Sequence, residues 1–428
     1  MSHILLTYPE SVRFLYGLGN ESRTAKLGLD TVSSLLARLG NPHRGARFLH
    51  VAGTNGKGSV CAMLESALRA AGVRTGLFTS PHLIEPTERI RIDGRPVSAD
   101  LFAEAFDRVH TVAETMLAAG ALAAHPTYFE TVTLMAFLLF RDLGVAIGVL
   151  EVGLGGRLDA TNVVEPKISV ITPIDYDHEA FLGKSLEAIA AEKAGIIKAG
   201  VPVVLGPQHP NVAALLEARA AELAAPVFKF SDWQAQDLQL DAYGSRFTAA
   251  GPRRLHIGCP LAGEHQVANA LTAIAALDLL DVPSAAIEEG IRATRWPGRL
   301  ERVSERPEVV LDGAPNPASA SALARHIQRF YSGRRVWMVY GAMRDKAVGE
   351  VAGILFPSAG TIILTAPVHP RAVRPEALAA LVDHPDLRTA PTLPDALAVV
   401  RREAAPGDAV FITGSLFLVG EARALLVQ

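Results

Sequence analysis

Residues 51–60 read VAGTNGKGSV, a glycine-rich turn between the apolar run Phe48 to Ala52 and a segment with helical spacing. Val60, Met63, Leu64, Ala67 and Leu68 carry that spacing, at i, i+3, i+4, i+7 and i+8. Strand, glycine loop and helix in that order restrict the chain to folds in which a parallel sheet presents the loop at its carboxyl edge. Gly53, Gly56 and Gly58 let backbone N–H groups turn toward one centre, and the helix start adds partial positive charge, so a polyphosphate is the natural occupant. Lys57 would reach the outer phosphates. The generic GxxxxGK[ST] pattern is not met, because position 51 is Val and Gly58 separates Lys57 from Ser59.

The same alternation runs through most of the 428 residues, with strand candidates at Phe48 to Ala52, Thr75 to Thr79, Ala146 to Glu151, Ile168 to Thr172 and Val201 to Leu205. After Val227 short alternating runs around Gly244 and Gly251 predict a small antiparallel insertion, followed by a helix over Val267 to Leu280. Beyond a turn-rich joint at Arg295 to Glu301 the βα pattern restarts, near Val309 to Leu311, Val336 to Tyr340, Thr361 to Leu364 and Ala409 to Thr413. The expected fold class is therefore α/β. A P-loop-type parallel-sheet N-terminal domain with its insertion occupies residues 1–295, and a smaller Rossmann-like C-terminal domain occupies 296–428. A net charge of −3 gives no electrostatic case for nucleic acid or an anionic membrane. The longest apolar stretch, Val132 to Phe140, is far short of the ~20 residues of a membrane helix. Two cysteines without a CxxC offer no disulfide framework, and a reducing cytoplasm fits best.

Phosphoryl chemistry calls for Mg²⁺, so acidic and polar groups at strand ends are the candidates to hold it. Glu151 closes the strand before Gly153, Gly155 and Gly156; Ser80 follows Thr79; Asp177 and His178 follow the strand ending at Thr172. The chain holds only 8 Lys among its 41 basic residues, so an inward lysine needs a reason. Lys193 falls on the apolar stripe Leu186, Ile189, Ala190, Ala194 and Ile197. There it pairs with a carboxylate, snorkels or loses its proton. A neutral amine can also take up carbon dioxide as a carbamate, turning a cation into a carboxylate-like ligand.

Taken together, GTNGKGS at 53–59, SPHL at 80–83, ERIRIDG at 88–94, TYFE at 127–130, EVGLGGRLDATN at 151–162, Asp177 with His178, and EKAGI at 192–196 strongly resemble folylpolyglutamate synthase/dihydrofolate synthase, the folate branch of the Mur ligases. The likeness continues through Asn269, PGRLE at 297–301, LDGAPNP at 311–317 and TGSLF at 413–417. It implies an ATP- and Mg²⁺-dependent amide ligase, with its active site between two domains, that joins L-glutamate to dihydropteroate or to folates, in the cytoplasm and as a monomer. Within the resemblance, Gly53, Thr54, Asn55, Gly56, Lys57, Gly58, Ser59, Asn269, Arg299 and Asp312 match the nucleotide site. Ser80, Glu151, His178 and Lys193 match metal ligands, the lysine as a carbamate, and Lys57, Glu151, His178 and Lys193 match the catalytic set. Leu27, Gly28, Thr127, Tyr128, Phe129, Glu130, Leu158, Asp159 and Ala160 match the pterin- and benzoyl-binding parts.

One departure stands out: the usual DxAHNP reads AspGlyAlaProAsnPro, with Pro315 where the family has histidine. Pro315 keeps a non-catalytic ATP-binding protein in view, and the shared GTNGKG motif keeps a cell-wall Mur-type ligase in view. The reaction implied is attack of a substrate carboxylate on the γ-phosphate of ATP, giving an acyl phosphate that the glutamate amine resolves.

Overall fold

The computed structural model describes residues 6–18, 28–344 and 346–427. Leu27, expected at the substrate, lies outside the described residues. The chain divides into two compact units: Met1–Gln234, Gly251–Leu255 and Asn269–Ile291 make the first, and Ala235–Ala250, His256–Ala268 and Arg292–Gln428 the second.

The first unit is built on eight strands: β1 Arg47–Ala52, β2 Thr75–Phe78, β3 Ile90–Ile92, β4 Arg95–Pro96, β5 Ile147–Glu151, β6 Ile168–Ile171, β7 Val203–Leu205 and β8 Val227–Lys229. Their order is β4-β3-β2-β5-β1-β6-β7-β8. The five strands anticipated from sequence are β1, β2, β5, β6 and β7, with ends moved by at most two residues. Neighbours from β2 to β8 run parallel. Strands β2, β6 and β7 are buried at every position, the signature of a sheet covered on both faces. The antiparallel edge β3–β4 turns at Asp93 and Gly94, both with positive φ, the Asp-Gly chemistry of a two-residue hairpin.

Gly76 of β2 and Gly148 of β5 are paired in register and leave a trough for Phe140 of the helix Tyr128–Asp142. A Cβ added at Gly76 would lie 2.7 Å from the Phe140 ring, and one at Gly148 would lie 2.7 Å from the Phe48 ring and 3.3 Å from Phe140. Phe48, Phe137 and Phe140 share one core cluster with the helix Ala99–Ala118.

The second unit holds most of a three-stranded sheet, β9 Gln234–Asp241, β10 Gly244–Ala250 and β11 Arg254–Cys259, in the order β11-β10-β9. Sheet neighbours joined by two and three residues can only be antiparallel. Six further strands follow: β12 Glu301–Glu305, β13 Glu308–Asp312, β14 Val336–Tyr340, β15 Thr361–Leu364, β16 Leu387–Thr389 and β17 Ala409–Thr413, ordered β12-β13-β17-β14-β15-β16. All pairs but β12–β13 are parallel. Among the described residues no helix is long and apolar enough to cross a membrane.

The glycine trough yields a stability test. Gly148→Ala forces two buried rings apart and lowers unfolding stability by about 1–3 kcal/mol. Gly353→Ala, in the helix Val348–Leu355 with nothing within 4 Å of the new Cβ, raises it by about 0.5–1 kcal/mol. Urea unfolding of each variant reads both, and an unperturbed midpoint for Gly148→Ala contradicts the packing described.

Candidate functional site

In the first sheet β1 lies between β5 and β6. The chain leaves β1 toward β2 on one side and crosses from β5 to β6 on the other, so a crevice opens at the carboxyl ends of these strands. The turn after β1 starts at Gly53, whose φ is +148° and where a Cβ would fall 1.9 Å from Thr172 Oγ1. The Thr54 and Asn55 amides donate to the Pro173 carbonyl at 2.9 and 3.2 Å. Thr54 Oγ1 donates to the Asp175 carbonyl at 2.9 Å and accepts from the Asp175 amide at 3.0 Å. The turn is thus held to the segment after β6, and the helix Lys57–Ala70 starts from Gly56 without a side-chain cap. A helix start of this kind carries partial positive charge and suits an anionic ligand. Gly56 sits against Asn269, where a Cβ would come 2.5 Å from Oδ1.

Lys57 Nζ donates to the carbonyls of Gly53 at 3.1 Å and Thr54 at 3.0 Å. Lys193 Nζ, from the helix Leu186–Ala194, donates to the same Gly53 carbonyl at 2.8 Å. Its inward direction follows the sequence stripe, and it is only 5% exposed. Burial, and then the Lys57 charge, pull its pKa from 10.5 down to about 7, against the attraction of Asp177 and Asp159. Glu151, also 5% exposed, stands opposite Val51 in the β1–β5 register. Its Oε2 accepts the Ser80 amide at 3.0 Å. Glu151 and Ser80 are therefore together, and both lysines meet at Gly53. His178 is exposed, in the left-handed conformation after β6, with Nε2 3.9 Å from Asp177 Oδ1.

The segment Gly153 to Asn162 is tied down by its own side chains. Asp159 accepts the amides of Gly153 and Leu154 at 3.0 and 2.9 Å, and both the amide and hydroxyl of Thr161 at 3.0 and 2.5 Å. Its carboxylate organises the loop, with Leu158 half-buried and Ala160 buried beside it. Thr161 Oγ1 meets the buried His50 of β1 at 2.8 Å. Asn162 Nδ2 donates to the carbonyls of Arg157 and Gly195 at 2.9 and 3.1 Å, binding the loop to the end of the helix that carries Lys193.

Thr127 and Glu130 form a capping box for the helix Tyr128–Asp142, so their side chains serve the helix start. Phe129 packs against Gly153, where a Cβ would lie 2.5 Å away. Tyr128 stacks on Tyr16 at 5.9 Å and lies under Arg89 at 4.8 Å. Arg89 Nε donates to His82 Nδ1 at 2.9 Å; burial, then the Arg89 charge, push the His82 pKa down to about 3. Tyr16, His82 and Arg89 were missed from sequence, although SPHL and ERIRIDG contain two of them. Gly28 is half-buried with nothing within 4 Å of a new Cβ.

In the second unit Asp312, at the end of β13, accepts the amides of Leu300 at 2.9 Å and Ala314 at 3.1 Å. Burial raises its pKa against the pull of the Arg299 guanidinium. Gly313 leaves room for Arg299, whose terminal nitrogen would be 2.9 Å from a Cβ there. Asn316 caps the helix Pro317–Tyr331 with Ser319.

Comparison with known proteins yields two domain families, described as Mur ligase middle domain over residues 93–277 and Mur ligase, glutamate ligase domain over residues 298–416. A Haloferax volcanii protein named probable bifunctional folylpolyglutamate synthase/dihydropteroate synthase is 35% identical over 98% of the chain. The chain spans about half of its length (50%). A Mycobacterium tuberculosis dihydrofolate synthase/folylpolyglutamate synthase is 37% identical, over 93% of this chain and 89% of that one. The solved structure of M. tuberculosis folylpolyglutamate synthase complexed with ADP superposes with a TM-score of 0.91 at 34% identity, covering 98% of this chain and 99% of the other.

The burial of Lys193 sets a pH dependence. Its folded pKa lies below the unfolded one, so between about pH 7 and 10.5 the unfolded chain binds the proton that the folded chain has released. Stability rises with pH through that window, and below it the cost of a buried charge is constant. In CO₂-depleted buffer Lys193→Met therefore has a higher urea midpoint near pH 6 and a flatter rise toward pH 9. A variant less stable than the parent near pH 6 would show that the buried ammonium carries no such cost.

Proposed function

The chain belongs to the folylpolyglutamate synthase/dihydrofolate synthase family of Mur-type ligases, and from that premise we propose that it is an ATP-dependent ligase adding L-glutamate to dihydropteroate, to the γ-carboxylate of folates, or to both. The observation that carries this reading is the meeting of Lys57 and Lys193 at the Gly53 carbonyl, beside a strand that ends in a buried carboxylate. Residues 1–295 act as the ATP-binding domain and 296–428 as the glutamate ligase domain, although Ala235–Ala250 and His256–Ala268, most of the antiparallel insertion, group with the second compact unit.

A carboxylate and an amine do not condense in neutral water, because the carboxylate is a poor electrophile with a poor leaving group. In the proposed reaction the acceptor's carboxylate oxygen attacks the γ-phosphorus and ADP leaves with the β–γ bridging oxygen. The α-amino group of glutamate then attacks the acyl carbon, phosphate departs, and the amine proton passes to solvent. The turn from Gly53 to Ser59 cradles the phosphates, and Lys57 exchanges its carbonyl partners for phosphate oxygens. Asn269, which packs against Gly56, adds a nucleotide contact in the same unit. Tyr128, Phe129 and the loop around Leu158 to Ala160 receive the ring portions, with Asp159 holding that loop in shape. Positioning and charge neutralisation carry most of the rate.

The donors here suit Mg²⁺, since a buried carboxylate stands with a serine at a strand edge and hard cations take oxygen. Glu151, Ser80, His178 and Lys193 as its carbamate would hold the ion, which supplies neutralisation of phosphate charge. Lys193 qualifies only because its amine is partly neutral near pH 7. The nitrogen adds to the carbon of CO₂ and gives up a proton, leaving an anionic oxygen ligand.

ADP release from the purified chain is expected only with pterin acid or folate, glutamate and Mg²⁺ all present. Turnover with a UDP-muramoyl acceptor instead assigns the chain to cell-wall chemistry, and ATP binding without a condensation product assigns it no ligase role. Lys193→Ala lowers kcat by about 10²-fold or more, with partial recovery on adding a small carboxylic acid. Undiminished turnover in that variant, without rescue, would sink the carbamate assignment.

A further inference from the structure

A second cluster of ligating side chains lies on the helical layer of the first unit, outside the residues assigned to nucleotide or folate. The helix Ala99–Ala118 carries His110 and Glu114 four residues apart, which sets both on one helix face. His125 comes from the connection leading into the helix Tyr128–Asp142. Glu114 Oε1 lies 2.8 Å from His125 Nε2 and 3.9 Å from His110 Nδ1. The two imidazoles are nearly parallel, with centroids 5.9 Å apart and planes at 13°. Phe14 meets them edge-on at 4.5 and 5.5 Å, and Phe106 stacks on His110 at 5.4 Å. One donor atom from each of the three residues lies within 4.8 Å of the other two.

We propose that His110, Glu114 and His125 form a site for one transition-metal ion of the zinc class. Bonds of about 2.0–2.2 Å to nitrogen and oxygen place tetrahedral ligands roughly 3.3–3.6 Å apart. The cluster brackets that spacing, and Glu114, with its side chain 51% exposed, closes the remainder by side-chain rotation. Two imidazole nitrogens with a single carboxylate oxygen suit zinc, cobalt or nickel, whereas magnesium and calcium prefer sets dominated by oxygen. The aromatic walls fix both rings from the protein side, and the open side leaves the fourth position to water.

The imidazoles bind as neutral rings, and any proton shared between His125 and Glu114 passes to solvent as the ion enters. Such an ion ties the helix Ala99–Ala118 to the connection that ends in the Thr127 and Glu130 capping box. It is thereby a structural clamp on the start of the helix bearing Tyr128 and Phe129, and it stands whether or not the ligase reading does.

The full chain, stripped with chelator, is titrated with Zn²⁺ against a chromophoric competitor, and in parallel with Co²⁺ read by its visible absorption. One equivalent is expected, unaffected by excess Mg²⁺, with Zn²⁺ raising Tm. Glu114→Gln and His125→Ala each weaken Zn²⁺ binding at least 10–100-fold, since even outer-shell partners of a metal cost that much. Equal zinc stoichiometry and affinity in wild type and in the His110→Ala, His125→Ala double variant would overturn the site. Should the double variant fail to fold by circular dichroism, Glu114→Gln decides alone, and unchanged zinc affinity there is equally fatal.

Discussion

Two lysine side chains donate to one peptide oxygen, the carbonyl of Gly53, and the rest of the first unit is arranged around that coincidence. An ammonium cannot sit on a buried carbonyl beside a second cation at no cost, because it is desolvated and repelled. Lys193 bears that cost: burial, and then the Lys57 charge, draw its pKa down to about 7. The carbonyl is available only because Gly53 takes a φ of +148° and leaves no Cβ to meet Thr172, conditions that any other residue violates. The amides of Thr54 and Asn55 anchor the turn to Pro173. A single backbone conformation therefore decides where Lys57 sits, how far Lys193 is dehydrated, and which amides of the helix start face the crevice.

That conformation also explains why so much of this region was legible before any coordinates. A strand, a glycine turn and a 3.6-residue stripe are local patterns, and the buried lysine was visible because it interrupts such a stripe. Glu151 was legible as the last residue of an apolar strand. What escaped was either short or long-range. Strands β8 and β16 have three residues each, too few to show a period. The Asp93–Gly94 turn was available as a hairpin signal but lies at a sheet edge whose strands are three and two residues long. The run of contacts from Tyr16 to His82, from His82 to Arg89 and from Arg89 to Tyr128 joins residues far apart in the chain and leaves no trace in local spacing.

Side chains inside a motif divide between touching a ligand and holding the backbone that does. Asp159, Thr127, Glu130 and Asn316 do the second in this structure, each forming hydrogen bonds with a loop or helix start. A cap is worth about 1 kcal/mol, and its loss at Thr127 or Glu130 shifts the helix start that sets Phe129 against Gly153. Loss of such a residue can look like loss of a substrate contact, although the chemistry it serves lies one backbone segment away.

Pro315 is to be weighed in the same terms. Its neighbours carry the local structure: Asp312 holds the amides of Leu300 and Ala314, and Asn316 starts the following helix. Proline has no N–H, and residue 315 is the place in this turn where no backbone donor is required for those bonds. Proline therefore fits here without costing the turn that presents Asp312 a backbone bond. What proline cannot supply at this position is a side-chain hydrogen bond, so its consequence falls on ligand contacts of the second unit, and the meeting of Lys57 and Lys193 at Gly53, on which the functional reading rests, lies in the first unit and is untouched by it.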